Sequence, residues 1–386
     1  MQRYRFVFVS SNAAWGGSED LWSATAARLA EAGHKVTVYK AGIDATEPRI
    51  RRLQELKCSL HDLAWLPFLN ERRQLLVRKI AFVFIIGQQL LRLRLLLAVA
   101  RRPNLIVLSQ GGNADGLLMA GIIRRTKMPY VLISHKATDL YWPPDTQRDR
   151  LQAVYREARA CLFVSEHTRR LTEEQLNLRL PQSSIVRNPF LVPWEPRNDW
   201  PDERDGWRLA CIGRMNLMEK GQDLLLRVLA RDKWRNRPLT VTFYGDGPNR
   251  VGIEEMAAHL ELKNVTFGGF VRDVTRIWSE HHGLILPSRC EGLPLVVVES
   301  MLSGRVPIVT DVGGNSEVIE DNTTGFLAAA PTEDSLDEVL ERAWARRGEW
   351  RAIGQEAARS IRTLVPEDPA AALAAKLTAV AAGARG

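Results

Sequence analysis

Four side chains carry most of the chemical promise of this sequence: Arg214 and Lys220 in IGRMNLMEKGQDLLL, and Glu291 and Glu299 in SRCEGLPLVVVESMLSGRVPIVT. An arginine fork and a lysine point charge converging on one site would neutralise a diphosphate, as magnesium does elsewhere. No Asp-x-Asp pair occurs in the chain, so a metal-clamped diphosphate is disfavoured and protein cations must serve instead. The two glutamates stand eight positions apart around a Gly-Leu-Pro and a run of valines. Glycine loops, NAAWGGSED near the start and GDGP later, offer backbone amides to an anion at a helix start. Taken singly each feature has a plainer reading: two surface cations, two solvated acids, ordinary turns.

The surrounding elements decide whether these groups can meet. GLILP and VPIVT read as short buried strands. Between them Pro294 suits a first helical position, because the donor it lacks has no partner there. Gly304 suits the left-handed end of that helix. The valines argue against a helix, and the Pro and Gly brackets outweigh them. Glu291 then lies in a loop, with Glu299 about one and a half turns down the helix. Arg214 follows the strand RLACIGR, and Lys220 precedes the helix GQDLLLRVLARDKW.

Upstream, RYRFVFVSS, the loop NAAWGGSED, the helix LWSATAARLAEAG and the strand HKVTVYKAG make a β-α-β unit of the doubly wound kind. NLIVLSQ, YVLISH and ACLFVSEH look like further strands. Asn188 to Trp207, dense in Pro, Trp and charge and without periodicity, reads as a linker. LTVTFYGDGP and NVTFGGFV continue a second α/β series, and DPAAALAAKLTAVAAGARG reads as an alanine-rich helix fraying into a tail. The pattern predicts an α/β chain of two Rossmann-like domains: residues 1–190, a linker 191–207, a domain 208–360 and a terminal helix and tail 361–386.

The bulk numbers suit this. A chain of 386 residues, 45% hydrophobic and 25% charged, can bury two cores. Cys58, Cys161, Cys211 and Cys290 show no metal or redox spacing, which suggests a reduced, cytoplasmic protein. MQRYRFVFVSSN is too short and strand-like for a signal peptide, and no run reaches the roughly 18 apolar residues of a spanning helix. Neither G-x-G-x-x-G nor a P-loop is present, so dinucleotide oxidoreductases and P-loop ATPases lose their signatures.

Charge is uneven. Arg72 to Arg102 holds eight of the 53 basic residues and none of the 45 acidic ones, so it alone accounts for the formal net charge of +8. Its basic groups flank the apolar patch IAFVFII. Two readings stand: core helices with solvated ends, or a surface helix dipping into an anionic membrane interface, which would co-sediment with anionic vesicles and release at high salt. Nucleic acid is disfavoured, because a phosphate backbone has no use for such a patch.

Taken in order, GRMNLMEKG, GDGP, PSRCEGLPLVVVESMLSGRVPIVTDVGGNSEVI and TGFL resemble the retaining nucleotide-sugar glycosyltransferases of family four, which have the GT-B fold. GGSE, ISH at His135, VSE at Ser165 and VRNP at Asn188 agree with it, and the likeness spans about Arg5 to Leu327. It implies two domains facing a deep cleft, the first binding the acceptor and the second the nucleotide sugar. It implies that Glu291 approaches the donor sugar's hydroxyls and that Glu299 holds the ribose. A carboxylate can grip two neighbouring hydroxyls. Gly292 and Leu293 would offer amides between them, and Arg214 and Lys220 would stabilise the leaving diphosphate, with Gly16 and Gly17 helping from the facing domain. Phe270 and Val271 fall in the loop where base choice is made. His135 would sit near the sugar and acceptor, although a lone histidine at a strand end is more often structural. Trp15 and Trp22 would line the acceptor side or be buried, and Asp246 shapes a turn.

The resemblance implies transfer of a sugar from a nucleotide diphosphate donor, UDP by default, to an acceptor hydroxyl with retention of configuration. It implies no metal and no cofactor beyond the donor. The setting would be cell-surface glycan or glycolipid synthesis, at the cytoplasmic membrane face. The alternatives are a nucleotide-sugar 2-epimerase of the same fold, or a non-catalytic sugar-nucleotide or lipid-surface binding protein.

Overall fold

RFVFVS and LIVLSQGG lack polar alternation, and both become central strands of a parallel sheet covered on its two faces. The computed structural model of the chain describes residues 2–12, 15–63, 87, 89–94, 96–97, 102–196, 199–204 and 206–383. They form two units, Met1–Pro189 with Asp368–Gly386, and Phe190–Glu367.

The first unit holds β1 (Arg5–Ser10), β2 (Lys35–Lys40), β3 (Ser59–Asp62), β4 (Leu105–Gly112), β5 (Tyr130–Lys136), β6 (Ala160–Phe163) and β7 (Ser183–Ile185). They pair in the order β3-β2-β1-β4-β5-β6-β7. Its helices include α1 (Gly17–Glu31), α2 (Pro48–Glu55), α3 (Leu117–Arg125), α4 (Asp145–Glu157) and α5 (Glu166–Leu176). Phe6, Phe8, Leu105 and Val107 point to one face and meet Leu21 and Trp22 of α1, while Val7, Val9, Ile106 and Leu108 point to the other and meet Met119, Ile123 and Tyr155. That is the period-two alternation of a strand put to use on both sides.

Helix α1 begins four residues before the expected start, taking in Gly17 to Asp20. Glu19 N–H donates to the Gly16 carbonyl at 2.8 Å, and two acids in the first turn suit the positive end of the helix dipole. The expected alanine-rich helix runs from Pro369 to Gly383. Leu373, Ala374, Leu377 and Ala381 are buried in the first unit's core, and Lys376 Nζ reaches Ser184 Oγ at 2.8 Å. Its alanines let the backbone approach α1 closely. In the basic segment, Leu93 and Leu97 are buried in the same unit, so this part packs as core. The patch IAFVFII and its preceding cations lie outside the described residues. Among the described residues no helix is long and apolar enough to cross a membrane.

The second unit holds β8 (Trp207–Ile212), α6 (Leu217–Lys220), α7 (Gln222–Leu229), α8 (Asp232–Arg235), β9 (Leu239–Tyr244), α9 (Arg250–His259), β10 (Val265–Gly269) and α10 (Val274–Glu280). There follow β11 (Gly283–Leu286), α11 (Leu295–Leu302), β12 (Val306–Thr310), β13 (Phe326–Ala328), α12 (Glu333–Ala345) and α13 (Trp350–Leu364). The parallel order is β10-β9-β8-β11-β12-β13. Leu209, Val241, Phe243 and Ile308 pack with Leu225, Trp234, Leu340 and Trp350 in its core.

The stretch expected as a linker is strapped to this unit instead. Trp194 O accepts from Arg362 Nη2 at 2.9 Å, Asp199 O accepts from the buried Arg305 at 2.6 Å, and Arg305 lies over the Trp200 ring. The tryptophans and charges that break periodicity there are its anchors. In each sheet the strand order reverses once, between β1 and β4 and between β8 and β11. Open α/β sheets bind ligands outside the carboxyl ends at such points.

Candidate active site

The β8/β11 reversal brings together residues far apart in sequence. β8 runs out at Ile212 and delivers Arg214; β11 runs out at Leu286 and delivers Ser288 to Glu291. Lys220 Nζ donates to Glu291 Oε1 at 2.5 Å, and Ser288 Oγ donates to the same oxygen at 2.7 Å. Ser288 is in turn held by Thr310, whose hydroxyl donates to its carbonyl at 2.6 Å. Glu291 is thus buried and gripped on one oxygen by two donors.

Two glycines make the approach possible. Gly221, between α6 and α7, has φ +62°, and a Cβ there would lie 2.1 Å from the Pro287 carbonyl oxygen. Gly313 has φ +61°, and a Cβ there would lie 2.3 Å from the Glu291 carbonyl oxygen. Both conformations favour glycine, and both contacts are with rigid backbone. Gly314 N–H donates to the Gly292 carbonyl at 2.6 Å, so the segment after β12 buttresses the glutamate loop from behind.

Arg214 is more than half exposed, its guanidinium 3.7 Å from Glu219. Gly292 and Leu293 fill the loop between Glu291 and α11. Pro294 is the residue before that helix rather than its first, and Gly304, at φ +67°, ends it as expected. Glu299 lies within α11 and is buried; its Oε1 accepts from Leu191 N–H at 2.9 Å. Phe270 and Val271 follow β10, at the carboxyl edge but two strands from β8; Phe270 is well exposed. Asp246 does shape a turn: its own carboxylate accepts from Gly247 N–H at 2.8 Å, and its carbonyl accepts from Met215 N–H at 2.9 Å. Among the described residues no cluster of three or more His, Cys, Asp or Glu is placed to hold a metal ion.

In the first unit, Gly16 precedes α1 in extended backbone, and Gly17 opens the helix. The loop before them is fastened by a buried ion pair. Glu19 accepts from Ser10 Oγ at 3.0 Å and from Trp22 Nε1 at 2.7 Å, with Lys40 Nζ 3.4 Å away. Lys40 also donates to the Asn12 carbonyl at 2.5 Å. Trp22 is therefore core rather than acceptor lining, while Trp15 is half-buried beside the Lys40 and Arg49 cations.

His135, at the end of β5, is buried, with Nε2 3.3 Å from Ser109 Oγ. Burial pushes its pKa down to about 4, with the Asn188 side chain working weakly the other way. The ring is neutral at pH 7, suited to hydrogen bonding rather than to charge stabilisation. The Asn188 side chain lies beside the ring, and Ser11 Oγ has no hydrogen-bond partner among the described residues. Between pH 6.5 and 4 the unfolded imidazole binds a proton that the folded one refuses, so His135 makes stability rise with pH there and fall on acidification. His135→Gln should flatten that part of the urea-midpoint profile. An unchanged slope would show that the ring titrates normally.

The two units each match a family model. One for group 1 glycosyl transferases matches residues 206–345, and one for a glycosyl transferase 4-like domain matches residues 16–189. The chain belongs to the glycosyltransferases. An alpha-D-kanosaminyltransferase of Streptomyces kanamyceticus is 26% identical over 238 residues, 56% of this chain and 61% of that protein. A subunit of the phosphatidylinositol N-acetylglucosaminyltransferase of Schizosaccharomyces pombe is 30% identical over 186 residues, 46% of this chain and 39% of that protein. Both matches span less than two thirds of the relative's length. Among solved structures, Anabaena HepE in complex with UDP-glucose superposes with a TM-score of 0.76 at 16% identity, covering 98% of this chain and 100% of that one. Sucrose-phosphate synthase from Thermosynechococcus elongatus gives 0.75 at 16% identity, covering 97% and 98%. At such identity these likenesses establish the fold, GT-B.

In the sequence of this glycosyltransferase, Glu291 and Lys220 stand out but their contact does not. Ser288, Arg289, Asp223 and Gly313 around them, and Glu19 and Lys40 behind the first glycine loop, carry no mark in the sequence. Only a charged residue in an otherwise buried strand, as Lys40 is, could have hinted at the last pair.

Proposed function

We propose that the chain transfers a sugar from a nucleotide diphosphate donor, UDP by preference, to an acceptor hydroxyl with retention of anomeric configuration. The observation that carries this reading is the Lys220–Glu291 hydrogen bond at the sheet's reversal point, with Arg214 on the neighbouring strand end. A cation for the diphosphate and a carboxylate for sugar hydroxyls stand within one hydrogen bond of each other. The bond that breaks, between anomeric carbon and phosphate oxygen, would lie beside this pair. That HepE was solved with UDP and with UDP-glucose supports a UDP donor.

In this reading Arg214 and Lys220 stabilise negative charge growing on the diphosphate, without a metal, and Gly292 and Leu293 amides at the start of α11 assist. Glu291 orients the sugar, and Glu299 holds the ribose hydroxyls. The acceptor attacks on the face from which the diphosphate leaves, and the departing phosphate oxygen takes its proton. Catalysis then rests on positioning and charge stabilisation. His135 is neutral and contributes hydrogen bonds near the acceptor; Phe270 and Val271 flank the base. Action on a glycan or glycolipid acceptor at a membrane face rests on the composition of Arg72–Arg102 alone.

The test is a panel of nucleotide sugars, including UDP-glucose, titrated by calorimetry in chelator and followed for slow hydrolysis by NMR. Binding of one donor without divalent metal, with sugar first released as the donor's own anomer, is the expected result. A magnesium requirement would remove the cation assignment. First release of the opposite anomer would remove retention, and conversion of the sugar without release would favour an epimerase.

A further inference from the structure

We infer that Arg289 and Asp223 form a positioning clamp that aims Lys220 at the diphosphate; the inference rests on the nucleotide-sugar reading above. The Arg289 guanidinium makes a two-pronged contact with Asp223, Nη1 to Oδ1 at 2.7 Å and Nη2 to Oδ2 at 2.8 Å. Nη1 also donates to the Leu217 carbonyl at 2.6 Å. The same residue's backbone N–H donates to the Glu219 carbonyl at 2.8 Å, and Cys290 N–H donates to that oxygen at 3.2 Å. One guanidinium therefore ties down the residue three before Lys220 and the residue three after it. Glu291, the acid that Lys220 touches, is two residues from Arg289.

The clamp matters because nothing local can aim Lys220. α6 has four residues, too few for a helix to hold itself. Gly221 breaks it from α7 with a left-handed turn. Lysine adds a flexible four-carbon stem. The geometry of the clamp is that of a strong pair: planar, bidentate and charge-assisted, with the Asp223 side chain 11% exposed and that of Arg289 25%. Burial alone would raise the Asp223 carboxyl, but the Arg289 fork and charge outweigh it and hold the acid below its usual range. Asp223 also sits in the first turn of α7, where the helix dipole favours a carboxylate. Arg227 reaches Asp223 as well, at 3.1 Å. It comes from the same helix and joins nothing to the glutamate loop. Arg289 alone of the two spans the gap between the loop bearing Lys220 and the loop bearing Glu291.

A pair that merely stabilises the unit would leave phosphate selectivity unchanged. A pair that aims Lys220 sets the preference for UDP over UMP, because the lysine is assigned to the diphosphate and not to the nucleoside. Arg289→Gln and Asp223→Asn should each weaken UDP binding by about tenfold, the scale of one charge-assisted hydrogen bond. UMP binding should change by less than about twofold, as this contact lies outside the nucleoside. Calorimetry with UDP and UMP in chelator reads both, with urea midpoints measured beside them. Equal loss of both ligands, or no loss of UDP, overturns the clamp. A second readout needs no ligand: acetylation of Lys220 by acetic anhydride, relative to Lys233, should accelerate several-fold in Arg289→Gln. Should the wild type bind no nucleoside diphosphate, the functional reading falls. The clamp is then judged by acetylation alone, and an unchanged Lys220 rate refutes it.

Discussion

Lys220→Ala should lower kcat by on the order of 100-fold, the usual cost of losing one transition-state stabiliser. Glu291→Ala should lower kcat comparably, by misplacing the sugar at the reacting carbon. The structure adds a condition on the pair. Because Lys220 Nζ and Glu291 Oε1 share a hydrogen bond of 2.5 Å, each side chain loses a positioning partner when the other is cut away. The double variant should therefore be little worse than the more damaged single one, as for residues that act as a unit. Glu299→Ala supplies the contrast. Its carboxylate is assigned to the ribose, which binds ground state and transition state alike, so it should raise the donor KM with a smaller effect on kcat. Steady-state kinetics on folded variants separates the cases. Multiplicative losses in the double variant would mean that the two groups act independently. A kcat loss confined to Glu299→Ala would reverse the placement of sugar and ribose along the segment.

Gly221→Ala should be among the most destabilising single substitutions in the second unit. The alanine must adopt φ +62°, and its Cβ would fall 2.1 Å from the Pro287 carbonyl oxygen. The left-handed backbone alone costs about 1–2 kcal/mol. The clash cannot be relieved by a rotamer, because the obstacle is backbone, so a total of roughly 3 kcal/mol or more is expected. Whatever remains folded should also lose transfer activity, since the turn that yields is the one presenting Lys220. Gly16→Ala is the control: Gly16 has extended backbone, φ −166°, and a Cβ there meets nothing within 4 Å. Its urea midpoint should stay close to that of the wild type, within about 0.5 kcal/mol of stability. A wild-type midpoint for Gly221→Ala would show that the turn is not built as described.

Much of this molecule was legible in the chain itself. Continuous apolar runs punctuated by helices announced two parallel sheets, because a strand buried on both faces cannot alternate with polar residues. The bracket of Pro294 and Gly304 located α11 to within a residue, since those two residues carry their backbone preferences wherever they stand. The cations Arg214 and Lys220 and the two glutamates were visible by type, spacing and family likeness. Local chemistry could not reveal which of them touch. That Lys220 meets Glu291, 71 positions away, follows from the strand order β8-β11. The clamp of Arg289 on Asp223 and the buttress at Gly313 need the same adjacency. The stretch Asn188–Trp207, which contains the boundary between the units, hid its anchoring for a related reason: its tryptophans look aperiodic in sequence, yet find their partners on Arg305, Arg362 and His282. The terminal alanine helix is legible as a helix, but its docking is not: small residues carry little hydrophobic signal, whereas in the fold their smallness is what lets the helix lie close against the first unit's core. Sequence determined the elements and the inventory of reactive groups; only the packing of parallel strands decided which of those groups stand within a hydrogen bond of one another.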